Sequence, residues 1–197
     1  VVIAFLSIWL VSSSTIETQI RERVARGLKL SATGLATTLD ATLNDMLSDA
    51  ATTSRLYLPQ EAIESGDPKN FQWYADELVS KKNRYLAIVV SDSNGKVIGT
   101  NTVNQEGEPG FAKNLGRDLS KEAWFQSIPQ TDKSEAFILA QERPTMFLPV
   151  LDENEYVTGV IYPVFDILDE PIGLISFFIS HKHFGKLLDQ FTVTHQG

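Results

Sequence analysis

The sequence has no cysteine among its 197 residues. This absence excludes disulfide bridges, thiolate zinc sites and cysteine nucleophiles. Positive charge is also scarce, because 17 Lys and Arg residues stand against 25 Asp and Glu residues, for a formal net charge of -8. Nucleic-acid binding depends on a basic surface that neutralises phosphates, so we expect no nucleic-acid partner.

Motifs for catalysis and cofactor binding are missing as well. The chain contains no Gly-x-Ser-x-Gly, P-loop, dinucleotide-binding or His-Glu-x-x-His motif. His181 and His183 form a His-x-His pair, but two ligands leave a zinc shell incomplete. The turn at 92–95 lacks the glutamate that a calcium loop carries at its twelfth position. We therefore predict no metal, no cofactor and no enzymatic activity for this region.

The first 16 residues, VVIAFLSIWLVSSSTI, carry no charge. Their strongly apolar part, 1–11, is shorter than the about 20 residues that span a bilayer. We interpret 1–16 as the outer part of a transmembrane helix, because Trp9 beside a serine run suits a membrane interface. A signal-peptide core and a buried helix are the two alternative interpretations. The first interpretation predicts contact with the cytoplasmic membrane.

A long helix is predicted next. No proline occurs between Ile16 and Leu56, and apolar residues recur there in steps of three, four and seven. This spacing predicts an α-helix of about 40 residues, roughly 60 Å long. We expect Pro59 to end it, because the residue before a proline disfavours the α conformation. We also expect 17–63 to form a stalk that pairs with a second copy, since one small domain could not cover such a stripe. The stripe consists of Ile16, Ile20, Val24, Leu28, Leu35, Leu39, Leu43, Met46 and Ala50.

Residues 64–197 are predicted to form one domain of the α+β class. Asp67 and Pro68 are expected to begin a helix, a short helix is expected at 118–128, and a closing helix at 182–191. Turn signals between the apolar runs indicate hairpins, so the sheet should be antiparallel. The fold class is therefore a long N-terminal helix followed by a five-stranded antiparallel sheet with flanking helices. The predicted strands cover 85–90, 96–101, 135–141, 156–165 and 172–180.

Two aromatic residues, Trp124 and Phe125, end the short polar helix within GRDLSKEAWFQSI. On a solvated surface helix, two large aromatic rings at this position would remain exposed to water. One interpretation is that they plug a core, as most large aromatic side chains do. The other is that they wall a pocket, because ligand pockets are concave and mostly apolar.

Three further stretches of the chain are IVVSDSNGKVIGTN, LGRDLSKEAWF and YPVFDILDEPIGLIS. Together they resemble the extracytoplasmic Cache domains, which are PAS-like sensors of bacterial receptors, and the resemblance covers about 71–180. One such unit fits the chain length. The resemblance implies that the short helix lies over one face of a PAS-like sheet. It also implies that Trp124 and Phe125 wall a small-molecule pocket.

The resemblance also constrains the ligand. Cache domains that bind amino acids carry an Arg two residues before the aromatic pair and a late Asp in the last strand. Here those positions hold Glu122 and Phe178, so the ligand is predicted not to be an ordinary α-amino acid.

Polar residues near the implied pocket supply further candidates. Three of them also have a purely structural interpretation. Tyr162 could pack in the core, Arg143 could form an ion pair with a glutamate, and Asp166 could form a turn. We predict in addition that Trp124 and Tyr162 face a shared cavity. The candidate polar contacts are Tyr85, Arg143, Tyr162 and Asp166.

At the level of function, the resemblance implies the sensor domain of a membrane-bound receptor, located in the periplasm or outside the cell. The predicted partners are a small molecule, the inner membrane and a second copy of the chain. The receptor would be a chemoreceptor, a histidine kinase or a diguanylate cyclase. The alternative is a ligand-free structural or protein-interaction ectodomain that acts through dimerisation or a periplasmic protein partner.

Overall fold

A computed structural model of the chain describes most of its residues. The described backbone covers 2–104, 107, 109, 111–128, 136–142, 144–147, 156–183 and 185, with side chains from residue 25 onwards except 141. Residues 42–186 belong to one compact unit and residues 1–41 to another. Among the described helices, none has a segment long and apolar enough to cross a membrane.

The first helix, α1, comprises Val2–Ser54. It is followed by a separate helix, α2, at Tyr57–Ser65. The prediction of one helix that ends at Pro59 is therefore wrong. Pro59 is the third residue of α2, and a proline is tolerated in a first turn because the N–H groups there have no intrahelical acceptor. Gly66 ends α2 with φ of 71° and donates its N–H to the Ala62 carbonyl at 3.0 Å.

Helix α3 comprises Lys69–Lys82 and begins beside the predicted Asp67. The carboxylate of Asp67 accepts the Lys69 N–H at 3.1 Å, so it satisfies one of the free donors at this helix start. Helix α4 is shorter than predicted and contains only Ala123–Gln126. Asp118 instead accepts the Ser120 N–H at 2.9 Å in the turn before it. The predicted closing helix is seen at 181–183 and 185, and its remainder lies outside the described residues.

The sheet confirms the predicted α+β class. Its five strands have the order β2-β1-β5-β4-β3, and every neighbouring pair is antiparallel. The long strands β4 and β5 form a central hairpin, while β2 and β3 are the two edges. The strands are β1 at Ala87–Asp92, β2 at Val97–Thr100, β3 at Phe137–Glu142, β4 at Val157–Phe165 and β5 at Pro171–Ser180.

Each face of the sheet carries its own apolar cluster. The first cluster joins the sheet to α1, α2 and α3, with side chains such as Met46, Phe71 and Phe177. The second cluster lies on the opposite face and joins the sheet to α4 and the loops around it. It includes Trp124 and Phe178. Since side chains alternate along a strand, the strands contribute to both clusters.

A charged cluster ties the end of α1 to the start of β1. The Tyr85 hydroxyl donates to the Asp49 carboxylate at 2.5 Å, and Lys82 lies 3.3 Å from the same carboxylate. Arg84 donates to Asp45 at 2.7 Å and lies 3.8 Å from Asp49. Tyr85 itself is fully buried and contacts the ring of a core phenylalanine edge-on. The cluster therefore fixes this part of α1 against the sheet.

This cluster predicts a loss of stability at high pH. Burial, followed by the hydrogen bond to Asp49, raises the pKa of Tyr85 well above its usual value of about 10. The folded protein thus favours the neutral phenol, and its contribution is complete below about pH 10 and falls as the pH rises further. In urea titrations at pH 8 and pH 11, we expect Tyr85→Phe to lose less stability between the two values than the parent chain. The exposed Tyr57→Phe serves as the control, and an equal loss in all three proteins would contradict the prediction.

Candidate small-molecule site

A cavity of about 460 Å³ opens beside α4. Its volume falls within the roughly 300–1,000 Å³ of typical ligand pockets. One wall comes from the segment that leads into α4, and the other from the end of the edge strand β3 and the residues after it. The lining residues are Arg117, Asp118, Lys121, Glu122, Ala123, Trp124, Glu142, Pro144 and Thr145.

Backbone hydrogen bonds hold the first wall against the β1–β2 hairpin. The N–H of Val97 donates to the Arg117 carbonyl at 2.8 Å, and Gly116 donates back to Val97 at 2.8 Å. Leu119 donates to the Gly95 carbonyl at 2.8 Å, and its side chain is buried in the second cluster. These bonds place Arg117 and the residues after it at a fixed position beside β2.

Phe125 covers the hairpin turn rather than the cavity. Gly95 has φ of 87°, and a Cβ atom there would lie 3.0 Å from the Phe125 ring and 2.9 Å from the Ser120 nitrogen. The ring therefore packs on the bare backbone of the turn. Phe125 is half-buried and does not line the cavity.

Glu122 joins the two walls. Its side chain is 8% exposed, and its carboxylate accepts the Thr145 N–H at 3.1 Å and the Thr145 hydroxyl. The Arg117 guanidinium donates to the same hydroxyl at 2.5 Å and lies 3.9 Å from the carboxylate. A carboxylate with this set of donors is well satisfied, so the link holds the loop after β3 against the segment before α4.

Two of the side chains that line the cavity carry a polar group without a partner. The indole Nε1 of Trp124 is itself buried and has no hydrogen-bond acceptor in the described part of the chain. The carboxylate of Glu142 forms no hydrogen bond or ion pair with any described residue. On the opposite wall, hydrogen bonds from the side chain and backbone of Ser120 lower the pKa of Asp118, so this carboxylate is negatively charged at neutral pH.

The space between Trp124 and the sheet is filled. Phe178 is fully buried, and its ring centroid lies 5.9 Å from that of Trp124 and 4.9 Å from that of Phe147. The missing side chain of Gly159 makes room for this ring, since a Cβ there would come within 2.9 Å of it. The cavity therefore lies beside Trp124 and not beneath it.

Of the six residues predicted to bind a ligand, Trp124 lines the cavity. Tyr85 faces α1, as described above. The prediction that Trp124 and Tyr162 share a cavity is wrong. Side chains two residues apart on a strand point to the same face, so Tyr162 lies on the face of Val160 and Val164. It packs with the first cluster, on the opposite face of the sheet from Trp124.

The two remaining candidates do not contribute to the described lining. Asp166 forms a turn, because its carboxylate accepts the N–H groups of Leu168 at 2.8 Å and Glu170 at 2.9 Å. Arg143 lies outside the described residues. Arg117 and Glu142 also line the cavity and were not predicted from the sequence. Arg117 stood within one of the three Cache-like stretches, whereas Glu142 carried no local signal.

No protein-family model matches the sequence, and no curated protein matches it. Solved structures do match. The sensor domain of Escherichia coli DcuS has 19% identity and a TM-score of 0.57, with 78% of this chain and 98% of that chain covered. A domain of a sensory box/GGDEF family protein from Vibrio parahaemolyticus has 12% identity and a TM-score of 0.58, with 85% and 62% covered.

A third similar structure is the sensor domain of the Vibrio cholerae histidine kinase DctB. It has 13% identity and a TM-score of 0.56, with 80% of this chain and 56% of that chain covered. The chain thus spans nearly all of the DcuS domain but less than two thirds of the other two. These similarities confirm that the chain has the PAS-like fold of bacterial receptor sensor domains, as the sequence predicted.

Proposed function

We propose that this chain is the extracytoplasmic part of a membrane-bound signal-transduction receptor and that it senses a small molecule. The observation that carries the proposal is the cavity beside Trp124. It lies on the face of the PAS-like sheet opposite the first cluster. Its two walls come from separate segments, so a molecule bound between them would contact both. Residues 1–16 would belong to the membrane anchor.

A contiguous set of contacts leads from the cavity to α1. Trp124 packs on Phe178 of β5, and the Phe178 carbonyl accepts the Leu86 N–H at 2.8 Å. The next residue towards the N-terminus, Tyr85, donates to Asp49 of α1. Ligand binding that favours one arrangement of Trp124 would therefore bias the contact between β1 and α1, as a population shift requires.

The test is a thermal-shift screen of the purified chain against small metabolites of every charge class. A ligand at 100 times its dissociation constant stabilises the folded state by about 2.7 kcal/mol. For a chain of this size, that corresponds to roughly 5–10 °C in Tm. We expect hits outside the ordinary α-amino acids, because Glu122 and Phe178 stand where amino-acid-binding relatives hold their charged anchors. A screen with no hit would contradict sensing.

A ligand-free ectodomain is the second candidate, and one observation favours it. The sheet face beneath Trp124 is filled by Phe178 and Phe147, so no molecule can enter there. In that case dimerisation or a protein partner would carry the signal. The same screen separates the two candidates, since a ligand-free domain gives no shift with any metabolite.

We propose further that α1 pairs with a second copy. Leu28 and Leu30 are 67% and 68% exposed on this helix, and Leu39 of the predicted stripe is half-buried. Leu39→Asp should lower the mass measured by sedimentation equilibrium from dimer towards monomer, because it places a charge in the apolar seam. Thr37→Asp adds the same charge at an exposed position and should leave the mass unchanged. A parent chain that is monomeric at high concentration would contradict the prediction.

A further inference from the structure

The carboxylate of Glu122 is turned away from the helix that it precedes. Glu122 is the N-cap residue of α4, a position where a side-chain oxygen commonly accepts an N–H from the first turn of its own helix. All four residues of α4 are described, and the Glu122 side chain makes no capping hydrogen bond to them. It crosses instead to Thr145, 23 positions further along the chain. A local capping interaction is therefore given up for a long-range one.

The groups that receive this carboxylate form a site of the right shape and charge for one. The Thr145 N–H donates to Oε2 at 3.1 Å and the Thr145 hydroxyl donates to Oε1, so a single residue holds both oxygens. The Arg117 guanidinium donates to that hydroxyl at 2.5 Å and lies 3.9 Å from Oε1. Hydrogen bonds in such a chain polarise one another, and a nearby cation favours a charged acceptor.

Contacts that do not involve Glu122 hold both donor residues in place. The Arg117 carbonyl accepts the Val97 N–H of β2 at 2.8 Å. Thr145 directly precedes Met146 and Phe147, which are fully buried in the second cluster. Glu122 itself is 8% exposed, and a charged group is buried to this degree only at a high cost unless it is compensated. The site is therefore preformed, and the chain fills it from within.

We propose that Glu122 is an autoinhibitory occupant, which blocks a carboxylate-binding site formed by Arg117 and Thr145 and latches the two walls of the cavity together. A tethered group acts at an effective concentration of about millimolar or higher, so dilute free carboxylates do not replace it. While Glu122 is in place, the loop after β3 is held against the segment before α4. Its departure opens the site and releases the loop. The inference concerns a contact within the chain and does not depend on the sensing function.

Replacing Glu122 by alanine should open the site to a free carboxylate. Glu122→Ala removes one methylene and the carboxylate group, and acetate has the same heavy atoms, so it can refill the space. In titration calorimetry at constant ionic strength, we expect acetate to bind Glu122→Ala at least tenfold more tightly than the parent chain. Acetamide has the same shape without the charge and should show no such gain.

Two control variants separate the opened site from a change of charge alone. Glu122→Gln removes the charge but leaves a side chain of the same length in the site, and should bind acetate no more tightly than the parent chain. Glu142→Ala removes a carboxylate from the same cavity lining and should also match the parent. An equal gain in Glu122→Ala and Glu142→Ala would overturn the proposal, because reduced repulsion would then explain both.

A second substitution in the Glu122→Ala chain assigns the donors. Thr145→Val removes the hydroxyl that connects Arg117 to the carboxylate, and should weaken acetate binding at least fivefold. Thr37→Val makes the same change at an exposed position of α1 and should leave acetate binding as it was. Acetate binding that is unchanged by Thr145→Val would overturn the assignment of this site.

Hydrogen exchange at the Thr145 amide measures the latch itself, because this N–H donates to Glu122. Local opening exposes an amide to solvent exchange. In NMR measurements, we expect the Thr145 amide to exchange at least tenfold faster in Glu122→Ala than in the parent chain, and to slow again when acetate is added. Glu142→Ala should leave the rate unchanged. An exchange rate in Glu122→Ala equal to that of the parent would show that the loop is held by other contacts.

The remaining outcomes also decide the proposal. If Glu122→Ala does not fold in chloride, refolding in acetate at the same ionic strength should recover it, and failure in both salts would overturn the inference. A metabolite screen without any hit would overturn sensing and leave the latch in place. Acetate that binds Glu122→Ala no more tightly than the parent would overturn the autoinhibitory role and leave sensing in place.

Discussion

Gly173→Val is expected to leave the domain unfolded, and Gly173→Ala to destabilise it severely. Gly173 lies near the start of β5, where its Cα pairs with Asp92 of β1 and Val164 of β4. A Cβ atom there would lie 2.2 Å from the Ser91 carbonyl oxygen and 2.7 Å from a methyl group of Ile63. The first of these atoms belongs to backbone within the sheet, so it cannot move without breaking the strand pairing.

The size of the effect follows from this fixed position. Overpacking by a methylene group commonly costs about 1–3 kcal/mol when side chains can shift, and more when they cannot. We therefore expect at least about 3 kcal/mol for the alanine variant, against a total stability of about 5–15 kcal/mol for a typical domain. Valine adds two more methyl groups and should exceed what the fold tolerates.

Urea unfolding followed by circular dichroism measures this prediction. Gly185→Ala adds the same methyl group at a helical position where, among the described residues away from its own turn of helix, no heavy atom lies within 4 Å, and it should not lower the midpoint. If Gly173→Ala unfolded at the same urea concentration as this control, the close approach of β1 and β5 would not be a constraint on the fold. The Ala variant keeps the test measurable even where the Val variant yields no folded protein.

The strands could be predicted from the sequence because their signals are local. Branched apolar runs separated by turn residues gave five strands, each within two residues of the observed bounds at both ends. The end of α1 was misplaced for an equally local reason. A proline favours the end of a helix, but the same residue is tolerated in the first turn of the next helix, where Pro59 lies.

The site could be predicted only in part. Trp124 was identified because a large ring on a short polar helix is unusual. Tyr162 was assigned to the wrong face, since the face depends on strand parity relative to a core that the sequence does not display. Thr145 meets the segment before α4, and Glu142 lines the same cavity, only because the chain crosses from one sheet edge to the other. Such long-range contacts carry no local signal in the sequence.

The choice between core and pocket for Trp124 also has a structural answer. The side chain takes part in both, because one side packs on Phe178 while the residue lines the cavity. The original alternatives were therefore not exclusive. What separates them experimentally is the size of the substituted side chain, since alanine removes the core contact and phenylalanine keeps most of it.

Trp124→Ala is accordingly expected to lower the free energy of unfolding by about 3–5 kcal/mol, the usual range for removing a large buried aromatic side chain. The Trp124 ring is 3% exposed and contacts Phe125 and Phe178 edge-on, so its loss leaves a void on the second cluster. For a chain of this size the Tm should fall by roughly 6–20 °C.

Trp73→Ala is the matched control, because this tryptophan is 68% exposed on α3 and its removal should cost less than about 0.5 kcal/mol. Thermal unfolding followed by circular dichroism compares Trp124→Ala, Trp124→Phe and Trp73→Ala with the parent chain. The phenylalanine variant should lose less stability than Trp124→Ala, because its ring still covers Phe178. If Trp124→Ala were as stable as Trp73→Ala, the indole would not support the second cluster, and its burial would serve the cavity alone.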